Sequence, residues 1–495
     1  MASELCQSPG LSALAASACV CEYRRTDSVH GQPIKIRTSI LCAKLLIVSY
    51  ALQASVLASE NWPTWRGPLA NGVAPESNPP VEWSETKNVK WKVKLPGKGT
   101  ATPVVWGGKL FILTAIAAEK KNDAKPAEPA ASTRPTTNAF AGRLGEDNRR
   151  RGGGGFGRGE KPTEMHEFIV LCLDRKTGKT LWQKTAKQEI PHEGHHQDHG
   201  FASASPVTDG EVVLACFGSR GLHCYDMDGR LKWSKDFGDM ITRNGFGEGA
   251  SPALHGNTVI VNWDDETDND FIVALDKRTG KELWKNPRNE ATGWSTPFII
   301  ERSGQTQVIV NASRACGYDF ATGEELWSCG GIGSNPIATP VVGGDTVYVM
   351  SGHREPNLKA IALGRTGDLT DTDAIRWSHN KSTPYVPSPV LVGDSLYFIS
   401  GNSGKLSSFD AKTGQPNFEA QQIEGIFGVY ASLVAAKDRI YVLGREGKCA
   451  VLKHGPKIEI ITTNKLDDRT DASIAIVGNE LLIRGKENLY CISAN

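Results

Sequence analysis

Short runs of alternating apolar and polar residues, separated by glycine-rich turns, fill the chain from Val89 onward. One pair of runs occupies residues 339–342 and 346–350, and a second pair occupies residues 388–391 and 395–399. Alternation with a period of two predicts half-buried β-strands, and glycine between the runs supplies the positive φ of a hairpin turn. Helical periodicity is missing between the runs, so the pattern predicts an all-β protein.

A longer phrase recurs about every 40–50 residues, which indicates that one supersecondary unit has been copied and stacked. It reads Leu or an aromatic residue, then Asp-x-x-Thr-Gly, then Trp four residues after the glycine. Asp228-Gly229 replaces Thr-Gly in one copy, and Phe418 replaces Trp in another. Asp and Gly favour a chain reversal, and one Trp per unit predicts packing between neighbouring units. The Asp of the phrase is Asp174, Asp226, Asp276, Asp319 and Asp410 in the five copies.

The first strand of each unit follows a Ser/Thr-Pro pair or a degraded form of it, which allows the units to be counted. The last unit ends after three strands, and residues 89–93 supply an isolated strand with its own Trp91. We therefore predict an eight-bladed β-propeller of four-stranded antiparallel blades, closed by the N-terminal strand. Seven blades is the alternative, should residues 448–461 not complete a sheet. The eight openings are Thr102, Ser205, Ser251, Thr296, Thr339, Ser388, Ser432 and Ser473.

The segments before and within the repeats are predicted from composition. Residues 1–58 resemble a signal peptide with an over-extended start, because Lys35 and Arg37 precede an apolar run that is too short to span a membrane, with cleavage after Ala58. Residues 59–87 form a lead-in to a propeller at 88–495.

A Gly-, Arg- and Pro-rich insertion at 117–162 is predicted to be a disordered linker, with RNA binding as the sharper alternative. The predicted signal peptide implies periplasmic or secreted localisation.

Charge and cysteine content narrow the function classes. The net charge of +1 offers no field for nucleic acid, so no nucleic-acid partner is expected, and the protein is expected to be a monomer. Cys172 and Cys224 occupy a position that takes small residues in other copies, so they are interpreted as small hydrophobes. A disulfide between Cys316 and Cys329 within one blade is the alternative.

The repeated phrase resembles the pyrroloquinoline-quinone (PQQ) type propeller repeat, found in quinoprotein alcohol dehydrogenases and in the outer-membrane assembly lipoprotein BamB. The opening Trp62-Pro63-Thr64-Trp65-Arg66-Gly67-Pro68 is similar to the start of secreted bacterial PQQ-like repeat proteins. The dehydrogenase resemblance implies PQQ over a Trp, a vicinal disulfide and Ca²⁺, but the chain has no Cys-Cys pair and no Cys-x-x-Cys-His motif. BamB-type proteins use the ring as an interaction platform.

We therefore expect a non-catalytic exported scaffold that binds an envelope protein partner or a small ligand. The alternative is a PQQ- or metal-dependent oxidoreductase, and a detached sensor domain is a third hypothesis. PQQ and Ca²⁺ are the cofactors to consider, and neither is assigned to particular residues.

Three polar stretches are candidate sites. The first is a histidine cluster, in which imidazole and nearby carboxylates suit a transition metal, against the alternative of a polar loop. The second has alternating oxygens like those of a Ca²⁺ loop but lacks its glycine and final Glu, so a solvated turn is favoured. The third is a glycine-rich stretch that frames a small ligand at the channel, or only turns the chain. These stretches comprise His192, His195, His196 and His199 with Glu193 and Asp198; Asp264, Glu266, Asp268 and Asp270; and Arg243, Asn244 and Glu248.

Overall fold

Eight antiparallel sheets follow one another around a central channel in the computed structural model, which describes residues 60–118 and 160–494. The predicted signal peptide lies outside the described residues, as does most of the insertion predicted at 117–162. The two helical segments within the described residues are single 3-10 turns, Gly218–Arg220 and Arg243–Gly245. The all-β prediction is therefore confirmed.

Each blade contains four strands, which follow one another from the channel outward. Blade 1 is Val104–Trp106, Lys109–Ala117, His166–Asp174 and Thr180–Glu189; blade 2 is Val207–Thr208, Val212–Cys216, Leu222–Asp226 and Leu231–Lys235; blade 3 is Ala253–His255, Thr258–Trp263, Phe271–Asp276 and Glu282–Pro287; blade 4 is Phe298–Arg302, Gln305–Asn311, Ala315–Asp319 and Glu325–Cys329; blade 5 is Val341–Gly343, Thr346–Ser351, Asn357–Ala362 and Ile375–His379; blade 6 is Val390–Val392, Ser395–Ile399, Lys405–Asp410 and Pro416–Gln422; blade 7 is Val434–Ala436, Arg439–Leu443, Lys448–Lys453 and Ile460–Lys465; blade 8 is Ala475–Val477, Glu480–Arg484, Asn488–Ser493 and Val89–Lys94.

The ring closes as predicted. Val89–Lys94 pairs antiparallel with Asn488–Ser493, and Trp91 lies opposite Cys491. Lys448–Lys453 and Ile460–Lys465 pair in full, so blade 7 is complete and the count is eight rather than seven.

Two short strands join the ring outside the four-strand pattern. Val73–Ala74 pairs parallel with Val434–Ala436 on the channel side of blade 7, and Gly367–Asp368 pairs parallel with the outer strand of blade 4. The first of these belongs to the lead-in segment, which is therefore part of the folded ring.

The repeated Trp forms the joint between blades. In five blades the indole N–H donates, at 2.8–3.1 Å, to the carbonyl that follows the repeat Asp of the next blade. The glycine of the same turn lies against the ring, because a Cβ added there would come within 2.4–2.8 Å of indole atoms. The repeat glycine thus permits both the turn and the close contact. The pairs are Trp91 with Arg175 and Gly178, Trp182 with Met227 and Gly229, Trp233 with Lys277 and Gly280, Trp284 with Phe320 and Gly323, and Trp377 with Ala411 and Gly414.

Trp327 of blade 4 departs from this pattern. Its indole lies over Gly317 of its own blade, its Nε1 is 3.4 Å from Gln307 Oε1, and the residue is 1% exposed. Blade 5 has no Asp-x-x-Thr-Gly turn to receive it. The connection between the last two strands of blade 5 instead supplies Gly367–Asp368 to the edge of blade 4.

The cysteine alternative is wrong. All seven cysteines of the described residues are free and buried. Cys316 lies opposite Ser328 and Cys329 opposite Ala315, so the two side chains point to opposite faces of the sheet. Their position as small core residues agrees with the first interpretation.

Candidate functional site: the central cavity

The Ser/Thr residues that open the blades form a closed ring of hydrogen bonds around the channel. Each hydroxyl oxygen accepts the backbone N–H of the equivalent residue in the preceding blade, at 2.8–3.3 Å, and Thr102 accepts from Ser473 to complete the circle. Within the described part of the chain, none of these eight hydroxyls donates to a protein acceptor. Because a hydroxyl has one donor and two acceptor sites, the ring keeps free donors next to the channel.

One end of the channel is crossed by the lead-in segment, residues 61–74, which we call the plug. Trp62 exchanges both backbone hydrogen bonds with Val105 of blade 1, at 2.8 and 2.9 Å. Trp65 donates its indole N–H to the Thr296 hydroxyl of blade 4 at 3.1 Å. Val73–Ala74 then pairs with blade 7. The plug therefore reaches from one side of the ring to the other.

Arg66 is the main anchor of the plug. It is 1% exposed, and its guanidinium donates to the carbonyl oxygens of Leu433 at 2.8 Å, Asn71 at 2.7 Å and Pro389. These partners are neutral, and burial lowers the pKa of Arg66 to about 9. The charge is thus held by backbone dipoles of blades 6 and 7.

Between the plug and the loops at the opposite end lies a cavity of about 350 Å³. The size suits a small molecule, since ligand pockets typically span roughly 300–1,000 Å³. Seven of the eight ring hydroxyls line it, together with aromatic residues and a few polar groups at the mouth. The aromatic residues are Trp65, Phe246, Trp294, Tyr385 and Tyr430, and the polar groups are His196, Asp198, His199, His353, Asn402 and Asp471.

Asp198 is part of an ionic network at the mouth. Its carboxylate accepts from Arg445 at 2.6 Å, Arg469 at 2.7 Å and the Tyr430 hydroxyl at 3.2 Å. Asp471 binds the same two guanidinium groups, at 2.7 and 3.1 Å. Two carboxylates therefore balance two guanidiniums, and the loop that follows blade 1 is tied to loops of blades 6, 7 and 8.

The four predicted histidines lie on this loop, but their imidazoles do not converge. The His192 Nε2 lies 2.6 Å from the Met240 carbonyl, away from the cavity, and His195 Nδ1 lies 2.7 Å from the His196 carbonyl. The ring centroids of His195 and His199 are 6.5 Å apart.

Of these four histidines, only His196 and His199 reach the cavity. Burial lowers the pKa of His199 to about 4, which favours the neutral imidazole. Glu193, proposed as a further ligand, accepts from Thr242 instead. In the described ranges, no group of three or more His, Cys, Asp or Glu side chains is arranged to hold a metal ion. Metal binding at His192, His195, His196 and His199 stays a prediction.

The glycine-rich stretch lies at the mouth, although its three candidate residues do not line the central cavity. Arg243 donates to Asn335 Oδ1 at 3.2 Å, and Asn244 has a φ of 56° within an exposed turn. Glu248 accepts from the backbone N–H and the hydroxyl of Ser219, each at 2.6 Å, beside a smaller cleft. Loss of solvent raises the pKa of Glu248 to about 8.

The acidic loop of blade 3 is a solvated turn at its tip, where Glu266 and Asp268 are exposed, but Asp264 and Asp270 are buried, which corrects the sequence interpretation for these two residues. Asp264 is 1% exposed and pairs with buried Arg288, Nε to Oδ1, at 2.7 Å. Glu266 accepts from Thr292, and Asp270 accepts a backbone N–H from Glu290. Three of the four carboxylates that resemble a Ca²⁺ loop, those of Asp264, Glu266 and Asp270, therefore accept from protein donors.

Sequence reasoning missed the plug and most of the aromatic lining. Two Trp residues and an Arg within five positions, outside every repeat, were the available signal for Trp65 and Arg66. Tyr385 and Tyr430 lie in loops without a motif, and their proximity depends on the ring geometry alone.

Comparisons with known proteins agree with this architecture. A family model described as outer membrane protein assembly factor BamB matches residues 166–420, just over half of the chain. The outer membrane protein assembly factor BamB of Burkholderia pseudomallei (strain K96243) is 25% identical over 187 residues, which cover 37% of this chain and 44% of that relative. The chain thus matches less than half the length of this curated relative.

Among solved structures, the quinohemoprotein alcohol dehydrogenase from Comamonas testosteroni superposes with a TM-score of 0.56 at 9% identity, covering 90% of this chain and 82% of that one. BamB from Moraxella catarrhalis gives a TM-score of 0.48 at 16% identity, covering 65% and 90%. The dehydrogenase likeness shows the fold alone. In the described residues, no helix is long and apolar enough to cross a membrane. On the family match and the repeat, the chain belongs to the BamB family of PQQ-like β-propellers.

Proposed function

We propose that this protein is a non-catalytic binding scaffold of the cell envelope that recognises its ligand or partner at the mouth of the central cavity. The observation that carries the proposal is the asymmetry of the channel. The plug crosses one end, and a cavity of about 350 Å³ opens among the loops at the other. A binding face with one mouth follows from this arrangement.

An envelope location is supported by the family description, which refers to the outer membrane, and by the signal peptide predicted at 1–58. The expectation is an exported, monomeric protein in the periplasm or outside the cell. An envelope protein partner would approach the loops around the mouth, where Ile241 and Phe427 are 43% and 66% exposed.

The residues of the cavity do not fit PQQ with Ca²⁺. PQQ is a tricarboxylate, and neither Lys nor Arg is among the residues that line the cavity. The carboxylates at the mouth, Asp198 and Asp471, are bound by Arg445 and Arg469 rather than free to ligate Ca²⁺. The proposed function therefore does not involve this cofactor.

The test is a thermal-shift and calorimetric screen of the purified full chain. The probes are neutral sugars, amino acids, an organic cation, an organic acid, and PQQ with CaCl₂. At least one probe is expected to raise Tm, and Ile337→Trp, which fills the lined cavity, is expected to abolish the shift.

The matched control is Leu283→Trp on an outer strand, where the side chain is 53% exposed, and this change should leave binding intact. Binding unaffected by Ile337→Trp, or no binding by any probe, contradicts cavity recognition. Dye-linked oxidation of an alcohol in the presence of PQQ and CaCl₂ contradicts the non-catalytic assignment.

A further inference from the structure

The lining of the central cavity combines apolar surface with polar groups and carries no net charge. Its lining contains two carboxylates, Asp198 and Asp471, and each is bound by Arg445 and Arg469 just outside the cavity. Two negative and two positive charges cancel. A charged ligand would lose its hydration and find no free counter-charge, which is costly in a confined site.

The floor of the cavity offers hydroxyl donors to a ligand. Thr102, Ser205 and Ser432 are 3%, 4% and 5% exposed, and each uses its oxygen to accept a backbone N–H. Their hydroxyl hydrogens have no acceptor among the described residues, although the side chains are more than nine-tenths buried. Such a surface suits a ligand with several hydroxyl or carbonyl oxygens.

Two indole rings provide fixed apolar surfaces in the same cavity. Trp65 donates its N–H to Thr296 at 3.1 Å, and Trp294 donates its N–H to the Gly247 carbonyl at 2.7 Å. Both rings are held by these bonds and both line the cavity, so their faces need no rearrangement to receive a flat apolar surface.

A pyranose ring combines the features that these surfaces require: an uncharged body, a girdle of hydroxyls and an apolar C–H face. We propose that the central cavity binds a neutral mono- or disaccharide, with a sugar face stacked on Trp65 or Trp294 and hydroxyls bonded to the Ser/Thr ring. This inference rests on the proposed function, because it names the ligand class of the same cavity.

The experiment is isothermal titration calorimetry and tryptophan fluorescence on the full chain. The neutral probes are glucose, maltose and N,N′-diacetylchitobiose, and the charged probes are glucosamine and glucuronate. A neutral sugar is expected to bind and to change the tryptophan emission. The charged monosaccharides are expected to bind at least about tenfold more weakly than glucose, which has the same ring, because an uncompensated charge is costly to bury.

A matched pair of ring variants tests the hydroxyl contact. Thr102→Val and Thr339→Val each remove a hydroxyl that accepts a backbone N–H, at 3.2 and 3.3 Å, and both residues are 3% exposed. Only Thr102 lines the cavity, whereas Thr339 lies on the plug side. Thr102→Val is expected to weaken sugar binding about five- to tenfold, while Thr339→Val leaves it unchanged.

The stacking contact is tested with Trp294→Ala, which should weaken binding, and with Trp294→Phe, which should restore part of it. Equal effects of the two threonine variants, or binding of a charged probe in preference to neutral sugars, would overturn the sugar assignment while leaving cavity recognition standing. If no probe of any class binds, small-molecule recognition by the cavity fails as well.

Discussion

The two ends of the channel are built by the same eight repeats, yet they are finished in opposite ways. One end is crossed by the plug, which is fixed by buried Trp62 and by Arg66 bound to backbone carbonyls. The other end is surrounded by loops whose charges pair at partly exposed positions, such as Asp198 with Arg445. The buried guanidinium of Arg66 is costly to leave without its hydrogen-bond partners, whereas ion pairs at partly exposed positions contribute little to stability.

The difference shows where a repeat protein can place specificity. The repeated Asp, Gly and Trp positions are committed to the joints between blades. Residues outside the repeat decide which end is closed and which remains accessible. Substitutions at the plug end should therefore lower the free energy of unfolding strongly, and substitutions at the loop end weakly.

The largest effect is expected from Arg66→Ala. It leaves the carbonyls of Leu433 and Pro389 without their donor and creates a cavity. The free energy of unfolding measured in urea should therefore fall by roughly 3–5 kcal/mol. Arg484→Ala is the control, because Arg484 is equally buried and bonds the carbonyls of Ala101 and Leu113, away from the plug.

Both arginine variants should lose stability, but only Arg66→Ala should increase quenching of tryptophan fluorescence by acrylamide, through exposure of the plug. Wild-type stability in Arg66→Ala would show that the plug is held by other contacts.

A smaller effect is expected from Gly67→Ala. Gly67 has a φ of +80°, and a Cβ there would lie 2.6 Å from the Trp62 ring, so strain and clash together should cost about 2–4 kcal/mol. Gly304 has a φ of +79° with nothing within 4 Å of an added Cβ, and Gly304→Ala should therefore cost only about 1 kcal/mol. Thermal unfolding measures both. Equal losses would mean that backbone strain, rather than the contact with Trp62, determines the result.

At the loop end, Asp198→Asn should cost about 1 kcal/mol, because it removes one charge from a partly exposed network. The loss should shrink in 1 M NaCl, where the Debye length is about 3 Å. Asp373→Asn disrupts the exposed pair with Arg365 and should change stability by about 0 kcal/mol. If Asp198→Asn costs more stability than Gly67→Ala, the contrast between the two ends does not hold.

A separate expected effect at the loop end is a pH dependence at Glu248. Its pKa rises from 4.5 to about 8 on folding, so the folded chain holds this proton more tightly than the unfolded chain. The resulting stability is fully present below pH 4.5 and is lost as the pH rises through about 8. Glu248→Gln should flatten the decline in Tm between pH 5 and pH 8.5, measured by calorimetry against wild type. Parallel Tm curves for the two proteins would contradict burial of this carboxylate.

The fold was largely predictable because the repeat is local. Asp-x-x-Thr-Gly specifies a turn, alternation specifies strands, and the isolated strand around Trp91 required a partner at the other end of the chain. Trp327 shows the limit of this reasoning, because its joint depends on whether blade 5 presents the matching turn.

The candidate site was much less predictable. Histidines 192–199 were grouped because they are close in sequence, but adjacent side chains in a loop point in different directions, and His192 binds Met240. The cavity instead joins Trp65, Trp294 and Tyr430, which are far apart in sequence and meet only when the ring closes. Asp264 of blade 3 was judged exposed because the sequence does not reveal that Arg288 approaches it.

The closing strand imposes an order on folding. Trp91 pairs opposite Cys491, 400 positions later, so the Val89–Lys94 strand must wait until residues 488–493 have been synthesised. During this time it is an unpaired edge, which invites aggregation. Lys90, Lys92 and Lys94 alternate with its apolar residues, and such charges discourage pairing with other chains. The lysines of this strand thus protect an edge whose partner strand is made about 400 residues later.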